Sequence, residues 1–342
     1  MREISIQKNE AGQRMDKFLA KYLNKAPKSF FYKMMRKKNI TLNGKKAVGN
    51  EQLKQGDVIK LFLAEETIEN FIDHSQFSKK KASSARKQTA GKKVQLDILY
   101  EDEAAVFINK PVGMLSQKAS PTDTSLVEYF IDYLLENGKI TEEELHTFHP
   151  SVCNRLDRNT SGIVAAGKTL QALQGLSEMF RDRTLKKYYL CLVKGQVKEN
   201  QRIHGYLVKN EKTNKVTVSQ KKPAEQTKDG KEASAIDTEY KVFARNRETT
   251  LLEVHLITGK THQIRAHLAS IGHPIAGDYK YGNRSFNDAL KKEYGLRSQL
   301  LHAYRLEFPE NCEGDIKQLS GKIIKAPVPA LFEQICKAQG VM

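Results

Sequence analysis

The sequence predicts an α+β protein with two folded parts, a small N-terminal domain and a larger domain built on a largely antiparallel mixed sheet. In the larger part, predicted strands come in groups between helices and lack the regular alternation of strand and helix that builds a parallel sheet. Hydrophobic residues make up 39% of the 342-residue chain, enough for a substantial core. We place the boundaries at residues 1–75 for the first domain, 76–93 for a linker and 94–342 for the second domain.

Two helices and a small sheet are predicted at the N-terminus. Apolar residues recur at helical spacing from Met15 to Leu23, and a second such stretch runs from Phe30 to Met35. Asn43-Gly44 follows a short apolar stretch and is the strongest short signal for a hairpin turn. The segment Asp57–Leu63 predicts a further strand.

Basic side chains crowd the second of these helices. The residues that we expect to contact RNA there are Lys28, Lys33, Arg36 and Lys37. The alternative is that these charges only keep a short exposed helix soluble.

The segment Phe77–Lys93 contains seven basic residues, no acidic residue and almost no large apolar one. It cannot bury enough surface to fold alone, so we expect a flexible linker. Its charge would attract phosphates, although a solvated tether without any specific contact explains the composition equally well.

The second domain has its own series of predicted elements. They are strands within Asp97–Met114, a helix over Ser125–Leu135, an apolar strand at Ile163–Ala166, a helix carrying Leu173, Leu176 and Phe180, a strand ending at Gly195, paired strands at Asp237–Ala244 and Thr250–Ile257, and a helix within Thr261–Pro274.

The charge balance favours a polyanionic partner. The chain carries 57 Lys and Arg against 40 Asp and Glu, a formal net charge of +17. This favours nucleic acid or an acidic membrane over a generally basic protein without such a partner. The first ten residues lack the apolar core of a signal peptide, and no apolar run reaches the roughly 18 residues that span a bilayer. We therefore expect a soluble, cytoplasmic protein with no membrane partner.

Four cysteines are widely spaced and form no C-x-x-C pair: Cys153, Cys191, Cys312 and Cys336. This pattern indicates neither a zinc site nor a disulfide framework, so we expect reduced thiols, mostly in the interior, and no metal.

The stretch "GIVAAGKT", Gly162–Thr169, matches the phosphate-binding loop pattern G-x-x-x-x-G-K-[ST]. A working loop of this kind follows a strand and is itself glycine-rich and flexible. Here the four middle residues are apolar and favour a buried strand, while the residues before Gly162 are polar. We therefore expect no nucleotide cofactor.

The chemistry is better placed just upstream, in "NRLDRNTSG" from Asn154. Asp157 lies in a polar loop between Arg155 and Arg158, and an arginine beside a carboxylate favours its charged form. An ionised carboxylate can act as a nucleophile or base. Taken alone, however, an aspartate in a loop is more often a turn or ion-pair residue.

The wider segment "NRLDRNTSGIVAAGKT" resembles the signature of the RluA-type pseudouridine synthases, R-L-D-x-x-T-S-G followed by an apolar strand. Histidine is common in that family where this chain has Asn154. Three further segments resemble the family in the same order, from about residue 94 to beyond residue 305: "NKPVGM", "KYYLCLVKG" and "TGKTHQIRAHLASIGHPIAGDYKYG", with "LLHAYRLEF" after them.

The resemblance implies an active site. Asp157 would be the catalytic carboxylate, and Arg265 would pair with it. Tyr189, with Tyr188 as the neighbouring alternative, would stack on the uracil. Arg155 would fill the space left when the uridine flips out of its helix, a step that costs a few kcal/mol. The family's reaction is redox-neutral and moves no phosphoryl group, so the resemblance implies no cofactor.

The first 65 or so residues resemble the small RNA-binding domain first described in ribosomal small-subunit protein four. The resemblance depends on "RMDKFLAKYL" from Arg14 and "KSFFYKMMRKKNITLNGKKA" from Lys28. Lys28 stands where arginine is common, and Lys38 where glycine is common.

Together the two resemblances imply an RNA pseudouridine synthase with an RNA-binding domain, acting on large-subunit ribosomal RNA. Nothing in the sequence demands a partner chain, so we expect a monomer. Transfer RNA is the alternative substrate. A non-catalytic RNA-binding or ribosome-assembly factor of the same fold is the alternative function.

Overall fold

A computed structural model of the chain describes residues 1–73, 94–142, 144–210, 213–223 and 233–342. The predicted linker, residues 76–93, lies outside the described residues. Within them, every helix is too short or too polar to cross a lipid bilayer.

The N-terminal domain packs helices against a four-stranded antiparallel sheet of order β1–β4–β2–β3. Its elements are β1 (Arg2–Ser5), α1 (Met15–Tyr22), α2 (Lys28–Arg36), β2 (Ile40–Leu42), β3 (Lys45–Lys46), β4 (Val58–Leu61) and α3 (Glu65–Asn70). The predicted helices, hairpin and strand are present, whereas β1 and α3 were not predicted.

Helix α2 separates its apolar and basic side chains. Phe31 and Met35 are buried in the domain core. The four predicted RNA-contacting residues on this helix and just after it are exposed: Lys28, Lys33, Arg36 and Lys37. Lys38 follows with a φ of 61°, the left-handed conformation that a glycine adopts without strain. The turn therefore forms although the glycine typical of the resembled domain is absent.

The second domain is built on an eleven-stranded sheet. Its elements are β5 (Ile98–Glu101), β6 (Ala105–Lys110), α4 (Leu126–Glu136), β7 (Ser151–Val152), β8 (Ser161–Gly167), α5 (Leu170–Asp182), β9 (Lys186–Lys194), β10 (Gln201–Asn210), β11 (Lys215–Ser219), β12 (Ser234–Arg245), β13 (Thr249–Leu256), α6 (Gln263–Ser270), α7 (Arg284–Tyr294), β14 (Leu301–Glu307), β15 (Ile323–Lys325) and α8 (Ala330–Ala338), with short 3₁₀ turns at Glu144–His146 and Gly314–Leu319.

The strand order is β11–β10–β12–β13–β9–β14–β8–β6–β5, with β15 beside β14 and β7 beside β8. Strands β14 and β8 pair in parallel, and the other pairings described in this sheet are antiparallel. The predicted α+β class with a largely antiparallel mixed sheet is confirmed.

Strand β8 consists of Ser161 and the "GIVAAG" part of the stretch that matches a phosphate-binding loop. All seven of its residues are buried, because helices cover both faces of the sheet here. Val164 packs into the core beneath α4 and α6, while Ile163 and Ala165 pack into the core beneath α5. Its backbone pairs with the flanking strands. The predicted strand is confirmed.

The two domains touch through polar side chains. The amide of Asn9 donates to Glu144 at 3.0 Å, and the hydroxyl of Thr147 donates to Glu10 at 2.6 Å. Both Glu10 and Thr147 are buried. This contact fixes the basic face of α2 relative to the larger domain in the structure.

Gly162 is required where β8 begins. Its φ is 113°, a conformation that side chains rarely adopt, and a Cβ atom built there would lie 2.1 Å from the carbonyl oxygen of Ala303 on β14. Only a residue without a side chain permits the parallel pairing of β8 with β14 directly after the Asp157 loop.

Gly162→Ala should therefore lower the free energy of unfolding by more than about 4 kcal/mol, since both backbone strain and overlap must be relieved. Gly138→Ala is the matched control, because Gly138 also has a positive φ, of 63°, but has nothing within 4 Å of the added carbon. In the control, the free energy of unfolding should fall by only about 1 kcal/mol. Equal decreases for the two variants, measured by urea denaturation, would contradict the close contact.

Candidate active site

A cleft in the second domain has a volume of about 850 Å³. It lies between the Asn154–Thr160 loop, strand β9 and the start of α6. Its lining includes Asp157, Tyr189 and Arg265, which are distant in sequence but were all predicted as site residues. Arg155 is exposed at the same cleft. The basic residues of α2 are not among those that line it.

Arg265 stands at the centre of a chain of ion pairs. Its Nη1 donates to Oδ2 of Asp157 at 2.8 Å, while its Nε and Nη2 donate to the two carboxylate oxygens of Asp278 at 2.7 and 2.9 Å. Asp278 is 1% exposed and also accepts the backbone N–H groups of Lys280 and Tyr281. These bonds hold the guanidinium in one orientation, with Nη1 directed at Asp157.

Burial and ion pairing act on these charges in opposite directions. Burial lowers the pKa of Arg265, but the carboxylates of Asp278 and Asp157 more than reverse this, so its pKa lies above the ordinary value. Burial raises the pKa of Asp278, and its bonds to Arg265 then lower it below the ordinary value. Both partners are therefore charged at neutral pH.

Lys110 links the Asp157 loop to the turn after β6. Its side chain is completely buried, and its ammonium donates to the carbonyl oxygens of Pro111, Met114 and Arg158 at 2.9, 2.9 and 3.1 Å. Burial lowers the pKa of Lys110 to about 8, while the charge of Asp157 opposes this shift. A single cation therefore joins the turn after β6 to the residue that follows Asp157.

Two further side chains fix the backbone of the loop. The hydroxyl of Ser116 donates to the carbonyl of Leu156 and accepts its N–H, at 2.9 and 3.0 Å. Asn154 donates to the carbonyl of Ile163 and accepts the N–H of Ala165, at 3.2 and 2.8 Å. The asparagine that replaces the histidine common in the resembled family thus holds its side of the loop against β8.

His262 approaches Asp157 from the start of α6. Its Nε2 lies 3.8 Å from Oδ2 of Asp157, and its φ of 54° is unusual for a residue other than glycine. The Tyr281 hydroxyl lies 2.9 Å from Nδ1 of His262 and accepts the N–H of Val216, which favours a proton on Nε2. Burial lowers the pKa of His262, although Asp157 acts in the opposite direction.

The structure separates the two tyrosines that the sequence left as alternatives. Neighbouring residues of a strand point to opposite faces. Tyr189 is 8% exposed and lines the cleft, whereas Tyr188 lies on the other face between Arg305 and His255. Burial, and then the charge of Asp157, raise the pKa of Tyr189, so its hydroxyl stays protonated at neutral pH.

This site offers a carboxylate held by an arginine, beside a buried aromatic ring. The described residues contain no group of three His, Cys, Asp or Glu side chains placed to hold a metal ion. The groups present suit acid–base or nucleophilic chemistry on a ligand that enters the open cleft.

Comparison with known proteins decides the family. Residues 104–270 match the family model described as RNA pseudouridylate synthase. Over 336 residues the chain is 33% identical to "Ribosomal large subunit pseudouridine synthase C" of Vibrio parahaemolyticus, covering 97% of this chain and 94% of the relative. The chain belongs to the RNA pseudouridylate synthase family. It is therefore an RNA pseudouridine synthase, as the sequence resemblance implies.

Other relatives agree with this assignment. A protein of the same name from Vibrio cholerae is 32% identical over 334 residues, 97% of this chain and 94% of the relative. The solved structure of "Human RNA Pseudouridylate Synthase Domain Containing 4" has a TM-score of 0.57 with 23% identity, and it covers 72% of this synthase and 94% of the human chain. This last likeness shows the fold.

Sequence reasoning missed several residues of the synthase site. Asp278, Lys110 and His262 were not singled out, although each lies within a segment that carries the family resemblance. The signal available in the sequence was a polar or charged residue inside a segment that resembles the family. Their partners come from remote parts of the chain, so the contacts are visible only in the fold.

Asp278→Asn should reduce kcat for pseudouridine formation by roughly a hundredfold with little change in KM, because Arg265 would no longer be fixed toward Asp157. It should also destabilise the fold by about 3–5 kcal/mol, since it breaks a buried ion pair. The control is Asp288→Asn, an exposed aspartate that also lies near an arginine. A variant that folds and keeps full kcat would contradict this account of Asp278.

Proposed function

We propose that the chain converts uridine to pseudouridine in large-subunit ribosomal RNA, with the Asp157 carboxylate as the reacting group. The observation that carries the proposal is the 2.8 Å bond from buried Arg265 to Asp157 beside Tyr189 in an open cleft. Both Vibrio relatives are named for the large ribosomal subunit and match nearly the whole chain, which supports the substrate.

The reaction is an isomerisation, so atoms and electrons balance without a co-reactant. The bond from ribose C1′ to ring N1 breaks, a bond from C1′ to C5 forms, C5 loses a proton and N1 gains one. The carboxylate could attack the ribose, attack the ring, or take a ribose proton to give a glycal. Each route needs a charged carboxylate oxygen. Oδ2 of Asp157 accepts the hydrogen bond from Arg265, and among the described residues Oδ1 has no protein donor.

Arg265 and Tyr189 have separate roles in this proposal. Arg265 keeps Asp157 charged and oriented in a partly buried site, where a bare carboxylate would be costly. Tyr189 supplies the ring on which the uracil stacks. Exposed Arg155 fills the space that the flipped uridine leaves in the RNA.

The N-terminal domain is proposed to bind the RNA away from the reacting nucleotide. Its support is the row of exposed basic residues on α2, together with the net charge of +17. Every residue of the proposed site comes from one chain, so we propose that the enzyme acts as a monomer. We propose a cytoplasmic location, since this is where a ribosomal substrate would be met.

Asp157→Asn should abolish pseudouridine formation while RNA affinity changes little, because the amide keeps the size of the side chain and lacks its charge. The measurement is a map of pseudouridines in ribosomal and transfer RNA after incubation with each protein. Asp182→Asn, an exposed aspartate at the end of α5, is the control and should act as wild type.

New sites in the large-subunit RNA support the proposal. If the new pseudouridines are confined to transfer RNA, the substrate is transfer RNA and the proposed chemistry still holds. Full activity of Asp157→Asn would refute the assigned carboxylate.

Replacing Lys28, Lys33, Arg36 and Lys37 together by glutamine should weaken binding to large-subunit RNA by at least about tenfold and flatten its salt dependence. The kcat on a short RNA carrying a single site should be unchanged. Lys291→Gln combined with Lys292→Gln, on exposed α7, is the control. Unchanged affinity of the α2 variant in binding titrations would contradict an RNA-binding role for this helix.

A further inference from the structure

Lys187 is a buried cation that the proposed chemistry leaves unused. It is 7% exposed and lines the catalytic cleft. It lies two residues before Tyr189 on β9, so the two side chains point to the same face of the sheet. Their Cα atoms are separated by about 6.6 Å along the strand. That separation is comparable to the distance from a base to the phosphate of its own nucleotide.

The protein around Lys187 does not neutralise its charge. Its ammonium lies 5.9 Å from the centre of the Phe180 ring, and a Cβ built at Gly259 would be 3.8 Å from it. Burial lowers the pKa of Lys187 to about 8, the positive charge of Arg183 lowers it further, and no carboxylate of the described residues acts against them. A buried ammonium that has a cation–π contact with Phe180, but no carboxylate beside it among the described residues, still costs free energy.

Lys110 provides the contrast within the same molecule. It is at least as buried, but three carbonyl oxygens accept hydrogen bonds from its ammonium. Lys110 therefore has a complete structural environment, and Lys187 does not. Because Lys187 lines the cleft, an anion bound there can reach its ammonium.

We propose that Lys187 forms a phosphate subsite that binds a phosphodiester group flanking the target uridine. The inference rests on the proposed function, since the ligand in the cleft is then RNA. Lys187 and Arg265 are the buried basic residues that line the cleft, and Arg265 is committed to two carboxylates. The other basic residues of the lining, Arg155 included, are exposed or only half-buried. Binding the phosphate inside the cleft offsets part of the cost of flipping the nucleotide.

The proposal predicts opposite effects on stability and on binding. Lys187→Met removes an unpaired buried charge and keeps the length of the side chain, so the melting temperature should stay the same or rise. Affinity for a short RNA carrying the mapped uridine should fall by about tenfold to a hundredfold, the loss of one charged hydrogen bond. A purely structural lysine would give a lower melting temperature and unchanged affinity.

Two variants isolate the charge and its position. Lys187→Arg keeps the charge and should retain more affinity than Lys187→Met. Lys186→Met removes a lysine from the adjacent exposed position on the opposite face, and it should bind RNA as the wild type does. If Lys186→Met and Lys187→Met lose the same RNA affinity, the effect comes from net charge alone, and the subsite is overturned.

The deciding experiment replaces single phosphates of the short RNA, 5′ and 3′ of the target uridine, by uncharged methylphosphonates. At one of the two positions, the uncharged RNA should bind the wild-type protein about as weakly as the unmodified RNA binds the Lys187→Met variant. The same RNA should bind the Lys187→Met variant no more weakly than the unmodified RNA does. If both methylphosphonates weaken binding further in the Lys187→Met variant, the losses of affinity are additive and the subsite is overturned. Normal pseudouridine formation by the wild type would in that case still support the proposed function. A wild type that forms no pseudouridine in any RNA would instead contradict the proposed function.

Discussion

The bond from Arg265 to Asp157 is the interaction on which the rest of the site depends. A guanidinium this deeply buried requires anionic partners, and it has two, Asp278 behind it and Asp157 in front. Asp278 is itself held by the backbone N–H groups of Lys280 and Tyr281, in the segment between α6 and α7. The aspartate loop, helix α6 and the segment after it must therefore be assembled together before the carboxylate reaches its working position.

The large sheet brings these elements together. Strand β8 leaves the aspartate loop at Gly162, where only a glycine fits against Ala303 of the parallel strand β14. Lys110 joins the same loop to the end of β6. Strand β9, beside β14, brings Tyr189 and Lys187 to the cleft. Elements distant in sequence thus meet around one carboxylate because their strands are neighbours in one sheet.

Local patterns were sufficient to predict much of this structure. The helical spacing of Phe31 and Met35 and the strand character of Ile163–Ala166 depend only on short-range periodicity. Hairpin β10–β11 and helices α7 and α8 were not predicted. Helix α7 is rich in polar residues, and α8 has only nine residues. The roles proposed for Asp278, Lys110 and Lys187 could not be predicted either. An ordinary charged residue becomes a site residue only through burial and partners that the tertiary fold creates.

The central claim is that Asp278 acts on the reaction only through Arg265. A double-mutant cycle on kcat for pseudouridine formation, with Arg265→Gln, Asp278→Asn and the combined variant, tests it most directly. The account predicts that the combined variant is no slower than Arg265→Gln alone, because Asp278 has nothing left to orient. Independent, multiplying losses from the two substitutions would contradict it.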